Sequence, residues 1–202
     1  MNPLFAQPLI VIDTETTGFH KQAEVIEIGA VALSRKGQIL STFSALIQPK
    51  HLDDWRTEKA LLISGITKTE LRQAPEPERV RALFAQWLGA VSKATSVRPK
   101  ALAYNAAFDK KLLERMGIFC EHLGVEWGEC LFTMTQQLLN RRGVFFRSAE
   151  GRRKKPSLSN ACRYFDIPQP VNAHRALDDA LATANLALNL WLAYTQDFGN
   201  IN

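Results

Sequence analysis

Ile10-Val11-Ile12-Asp13-Thr14-Glu15-Thr16-Thr17-Gly18 decides how this chain is read. Leu9 to Ile12 is an apolar run of the kind that forms a buried strand. It ends in two carboxylates with one residue between them. Side chains on a strand alternate between faces, so Asp13 and Glu15 point the same way. Held together, two like charges raise each other's pKa and cost free energy. A cation between them removes that cost, and hard divalent cations prefer oxygen ligands. Two solvated acids at a strand end look the same in sequence, so the rest of the chain has to separate the readings.

Working outward, a Thr-Thr-Gly turn and a polar loop lead to Val25–Leu33 (VIEIGAVAL), a second strand in which Gly29 permits close backbone approach. Arg35-Lys36-Gly37-Gln38 is a turn, and Ile39 to Gln48 reads as a third strand. Short Gly-containing connections make hairpins, so the first three strands are expected to form a meander. Asp53 to Ser64 is expected to be helical, with Asp53 or Asp54 as N-cap. A short helix is expected at Lys68 to Arg72. Glu78 to Lys93 is a stronger helix, with Val80, Leu83, Phe84, Trp87, Leu88 and Val91 at 3.6-residue spacing. Lys100 to Tyr104 is a short strand running into Asn105-Ala106-Ala107-Phe108-Asp109. The helix that follows ends at Gly117. Leu131 to Asn140 is another helix, and Arg141 to Pro156 reads as a loop. Ser157 or Ser159 caps a helix to Phe165, and Ala176 to about Tyr194 is the longest helix. Strands first, then strands alternating with helices, imply one α/β domain over residues 1–202, a mixed sheet flanked by helices.

Composition narrows the function classes. The chain has 202 residues, 46% hydrophobic and 22% charged, ordinary for a globular protein with a real core. No apolar run approaches the roughly 18 residues of a membrane span. The N-terminus lacks the pattern of a secretory signal. Three scattered cysteines, Cys120, Cys130 and Cys162, fit a reducing, cytoplasmic compartment and lack zinc-site spacing. A net charge of +5 and a pI of about 9.2 suit a polyanionic partner.

Three places carry chemistry: Asp13 with Glu15, Asp109, and His174 with Asp178 or Asp179. On the last helix, Leu177, Leu181, Ala184, Leu188 and Trp191 form one apolar face. Asp179 is in register with Thr183, Leu186 and Leu190, a second apolar face. A helix apolar on two sides is largely buried, and an acid on such a face needs a metal or a basic partner. First-turn acids are also favoured by the helix dipole alone.

With these residues the chain resembles the DEDDh branch of the DnaQ-like 3′→5′ exonucleases, which have a ribonuclease H-like fold. The motifs are Ile12-Asp13-Thr14-Glu15-Thr16-Thr17-Gly18, Tyr104-Asn105-Ala106-Ala107-Phe108-Asp109 and Ala173-His174-Arg175-Ala176-Leu177-Asp178-Asp179-Ala180. The resemblance runs from about Leu9 to Leu192. The family spacing from the histidine selects Asp179 over Asp178. By resemblance, Asp13, Glu15, Asp109 and Asp179 hold two divalent ions, Mg²⁺ or Mn²⁺, and His174 is the general base. Thr16, Thr17, Gly18 and Asn105 are expected around the 3′-terminal nucleotide, Phe108 near its bases, and Ile66 as a wedge against a base. Ser64 before Gly65, Tyr104 before Asn105, and Cys130 depart from common family patterns without removing a metal ligand.

The implied activity is hydrolysis of single-stranded or frayed 3′ ends of DNA to nucleoside 5′-monophosphates, as in repair or proofreading. Trimming of RNA or of short oligonucleotides uses the same fold and metals. A non-catalytic nucleic-acid-binding or polymerase-associated module is a third reading, and it has no need of the buried acids. One domain of this size suits a free-standing enzyme or a polymerase-associated subunit, and relatives include homodimers. The basic segment from Arg141 to Lys155 is either a solvated loop or a grip on phosphates beyond the site.

Overall fold

A computed structural model describes residues 5–170 and 172–198. In chain order these form β1 (Leu9–Thr16), β2 (Val25–Leu33), β3 (Ile39–Leu46), α1 (Thr57–Ser64), α2 (Lys68–Gln73), α3 (Pro77–Ala94), β4 (Lys100–Leu102) and α4 (Ala106–Arg115). A 3-10 turn at Cys120–Leu123 precedes β5 (Glu126–Trp127), α5 (Leu131–Arg141), β6 (Phe146–Arg147), β7 (Arg153–Lys154), α6 (Leu158–Tyr164) and α7 (Ala176–Phe198). The main sheet has the order β3-β2-β1-β4-β5. β1, β2 and β3 are the expected antiparallel meander. β4 and β5 add in parallel beside β1, so the sheet is mixed and flanked by helices.

The two faces of β1 explain the layers. Leu9 and Val11 pack with residues of α5, α6 and α7. Ile10 and Ile12 pack with α3 and α4. Every residue of β2 is buried, because the strand lies between the two helical layers. Burying each large aliphatic side chain contributes about 1.5–3 kcal/mol. A one-residue slip would turn each face over to the wrong layer, so the register is pinned. Continuing the alternation carries Asp13 and Glu15 onto the α7 face and Thr14 onto the α4 face.

Several expected boundaries move. The first helix starts at Thr57, not Asp53. The Asp54 carboxylate accepts hydrogen bonds from the Arg56 backbone N–H and guanidinium, which holds residues 54–56 in a turn and leaves Arg56 at the cap position. Asp109 lies within the first turn of α4, which opens at Ala106. The expected loop from Arg141 to Pro156 contains the β6–β7 hairpin. Its strands are two residues long, too short for a periodic signal, and Gly151 supplies the left-handed residue (φ +77°) in the connection. Ser157, rather than Ser159, caps α6 through a reciprocal bond pair with Asn160. Cys120 and Cys162 are buried and all three cysteines are free thiols. Among the described residues no helix is long and apolar enough to cross a membrane.

Candidate active site

Helix α7 is seated on the sheet by two residues of β2. At Gly29 a Cβ would stand 2.1 Å from the carbonyl carbon of Ala176, so only glycine lets the helix start come this close. Glu27, two residues earlier on the same face, is 2% exposed. Its carboxylate accepts from the Ala176 backbone N–H at 2.9 Å and from the Arg175 guanidinium at 2.8–3.2 Å. That satisfies an orphan N–H at the helix start and places a negative charge at its positive end. Glu27 pairs across the sheet with Glu15, so the same contact aligns the start of α7 with the acids of β1.

The first turn of α7 then carries Asp179 to those acids. Its carboxylate accepts the backbone N–H of His174 at 3.2 Å. His174 has a left-handed backbone (φ +67°), a conformation that costs a non-glycine residue on the order of 1 kcal/mol or more. The ring is exposed, and one ring nitrogen lies within 4.8 Å of carboxylate oxygens of both Glu15 and Asp179. From the other face, the Thr14 hydroxyl donates to Asp109 Oδ1 at 2.7 Å. Asp109 is only 4% exposed. Four acids distant in sequence thus gather at the C-terminal end of β1.

The electrostatics match a site built for cations. Burial pushes Asp13 well above the usual carboxylate range, and Asp109, Asp179, Glu15 and Glu27 push it further. Burial, then Asp179, Glu27 and Asp109, raise Glu15 to about 8, against a lowering by Arg175. Burial raises Asp109 to about 7, although the bond from Thr14 opposes it. Burial raises Asp179 as well, opposed by His174. Arg175, the nearby cation, is committed to Glu27. Among the described residues none of the four acids forms an ion pair, and hard oxygen donors in this number suit a divalent cation.

The residues expected around the substrate are arranged unequally. The Thr16 hydroxyl bonds both backbone groups of Gly18 and shapes the turn after β1. Thr17 is buried and tied to Glu24 through its N–H and its hydroxyl. Asn105 is exposed at the start of α4, with no side-chain capping bond. Phe108 is half-buried. Ile66, implied as a wedge against a base, is 2% exposed and packs with Ile26, Leu52, Leu61 and Leu71. The sequence reading missed Phe19, which is 91% exposed with its ring centroid 5.8 Å from that of Phe108. It also missed Glu27 and Arg175. A carboxylate in the apolar run VIEIGAVAL, in phase with Gly29, was the available signal for Glu27.

Comparison with known proteins shows the family and the fold. Residues 10–187 match the RNase T exonuclease family model, described as "Exonuclease". The chain is 30% identical over 183 residues to the PolC-type DNA polymerase III of Clostridium perfringens, covering 90% of this chain and 11% of the polymerase. It therefore spans about a tenth of the length of that curated relative. Among solved structures, E. coli Exonuclease I in complex with a dT13 oligonucleotide superposes with a TM-score of 0.73 at 18% identity, over 95% of this chain and 42% of that one. The nuclease domain of 3′hExo, a DEDDh family member bound to rAMP, superposes with a TM-score of 0.70 at 17% identity, over 100% and 98%.

Proposed function

This chain belongs to the RNase T exonuclease family, and from that premise we propose that it removes nucleotides one at a time from the 3′ end of single-stranded or frayed DNA. The observation that carries the proposal is the convergence of Asp13, Glu15, Asp109 and Asp179, each held above its ordinary pKa and none in an ion pair among the described residues. These four would hold two divalent ions, Mg²⁺ or Mn²⁺. When bound, such ions supply Lewis-acid stabilisation of the charge that develops on the attacking and leaving oxygens.

The chain's own residues account for the rest. An imidazole is the side-chain base suited to neutral pH, and His174 holds one at the mouth of the acidic cluster. In this reading a ring nitrogen of His174 takes the proton from the attacking water. Asp179, bonded to the His174 backbone, keeps that residue in its strained conformation and so sets the ring's position. Thr14 orients Asp109. Phe19 and Phe108 offer apolar ring surface on which terminal bases of any sequence can stack. The product is a nucleoside 5′-monophosphate.

The likeness to PolC-type polymerases favours DNA as substrate and a proofreading-type role, free or in association with a polymerase. The test is a time course on 5′-labelled single-stranded DNA and the matching RNA, with Mg²⁺, with Mn²⁺ and with chelator. A ladder that shortens from the 3′ end on DNA and vanishes with chelator is expected. Faster shortening of the RNA would transfer the proposal to RNA trimming. Intact DNA and RNA with divalent ions present would refute it.

A further inference from the structure

The chemistry above leaves the segment between α5 and α6 unused. Residues 130–165 contain eight Arg and Lys and a single acid, Glu150. Within them the β6–β7 hairpin sets Arg147 directly opposite Arg153, and Phe146 opposite Lys154. Like charges directly opposite on one face of a ribbon repel and destabilise it. Among the described residues neither arginine forms an ion pair. Arg147 donates to the Gly151 carbonyl at 2.9 Å, and Arg153 donates to Asn140 Oδ1 at 2.7 Å while stacking 3.9 Å over the Phe145 ring. The Glu150 carboxyl is held below its ordinary value chiefly by Ser148 and its own backbone, with Lys154 a lesser influence. Arg152, Lys154 and Lys155 are exposed, and among the described residues none of the three forms an ion pair.

The root of the hairpin is fixed beside the site. The Tyr104 hydroxyl donates to the Pro156 carbonyl at 2.8 Å. The Lys155 ammonium lies 5.6 Å from the Phe132 ring centroid, and the Phe132 N–H donates to the Tyr104 carbonyl. Tyr104 is two residues past Leu102, the partner of Val11, just as Asp13 is two residues past Val11. The basic ribbon therefore rises from the level of the acidic cluster, next to the residue that leads into α4. A solvated loop has no reason to pin opposed arginines there. A polyanion laid across the ribbon removes their repulsion.

We propose that the β6–β7 hairpin is a phosphate clamp, holding the backbone of the nucleic-acid strand on the 5′ side of the nucleotide being removed. The proposal rests on the exonuclease reading: once the 3′ terminus occupies the site, any phosphate gripped outside it belongs to upstream nucleotides. Such contacts position the strand without reading its sequence and weaken with salt.

The test is binding of a fluorescent single-stranded 15-nucleotide DNA in chelator over a salt series. It compares the wild-type chain with Arg152→Gln/Lys154→Gln, which removes two side chains that make no hydrogen bond among the described residues, and with Arg147→Gln/Arg153→Gln. Each single-strand phosphate contact contributes a slope of about −0.7 to log K against log salt. Each double variant is expected to lose about 1.4 of slope and to bind about ten- to thirtyfold more weakly near 0.1 M salt. Turnover of a dinucleotide, too short to reach the ribbon, is expected to stay at the wild-type rate. Unchanged affinity and slope in both variants would overturn the clamp, as would an equal loss on dinucleotide and 15-mer, the signature of a structural defect. Competition by polyglutamate as effective as by DNA would overturn it in favour of an acidic-protein surface. A wild-type chain that neither binds nor shortens the 15-mer would instead overturn the exonuclease reading beneath it.

Discussion

Burial raises the carboxyl groups of Asp13, Glu15, Asp109 and Asp179 above their ordinary values. Glu15 moves from an ordinary value of 4.5 to about 8, and Asp109 from 3.8 to about 7. For an acid raised in this way, the folded chain binds more protons than the unfolded chain between the two values. Stability then falls as pH rises through that window. In chelator, the midpoint of thermal unfolding is expected to drop as pH increases from about 4.5 to 8, and saturating Mn²⁺ is expected to abolish the drop. The same repulsion makes Asp13→Ala informative. This variant should lose at least about a hundredfold in turnover, yet unfold at a higher temperature than the wild-type chain at pH 8 in chelator. Loss of the fold in chelator would contradict a metal-site role for Asp13. His174→Ala should cost about 10²–10⁴-fold in kcat while Mn²⁺ still raises the unfolding temperature. An unchanged kcat would remove His174 from the proton transfer.

At the scale of elements, the site depends on how α7 meets β2. Gly29→Ala places a methyl group 2.1 Å from the Ala176 carbonyl carbon, and a backbone cannot yield as a side-chain tip can. A loss of about 1–3 kcal/mol in urea unfolding is expected, with turnover reduced because Asp179 moves with the helix. Arg175→Met strands the buried Glu27 carboxylate beside four other acids. Leaving one partner of a buried pair unsatisfied costs about 3–5 kcal/mol, and the partial exposure of Arg175 argues for the lower end. Unfolding curves that coincide with wild type would refute the anchoring role. Much of this layer was legible in the sequence. Strand alternation put Asp13 and Glu15 on one face, Gly29 marked the close approach, and the double apolar face of α7 marked a half-buried acid. Thr183, Leu186 and Leu190, which share that face with Asp179, are all fully buried. The Glu27–Arg175 pair stayed hidden because it joins residues 148 positions apart through side chains, which no local period records. The start of α1 was misplaced because the acids at 53 and 54 look like caps, whereas Asp54 holds a preceding turn.

For the molecule as a whole, the three motifs fall in order within residues 10–187, which match the family model, and the sheet is mixed as expected. Short elements escaped the sequence reading: β5, β6 and β7 have two residues each, below any hydrophobic repeat, and exist because neighbouring strands and turns dictate them. Ile66, for which the resemblance implies a wedge against a base, is held by tertiary packing among Ile26, Leu52, Leu61 and Leu71. The central claim is that the four acids act together as one divalent-ion centre. The most direct measurement is calorimetric titration of Mn²⁺ into the metal-free chain at pH 7 in buffers of different ionisation enthalpy, repeated with Asp179→Ala. Ion binding must displace the protons that burial holds on these carboxyls. Saturable uptake with buffer-dependent heat of proton release in the wild-type chain, lost or greatly weakened in the variant, is expected. Identical titrations for both chains, or no uptake by the wild-type chain, would contradict the metal centre and the hydrolytic mechanism built on it.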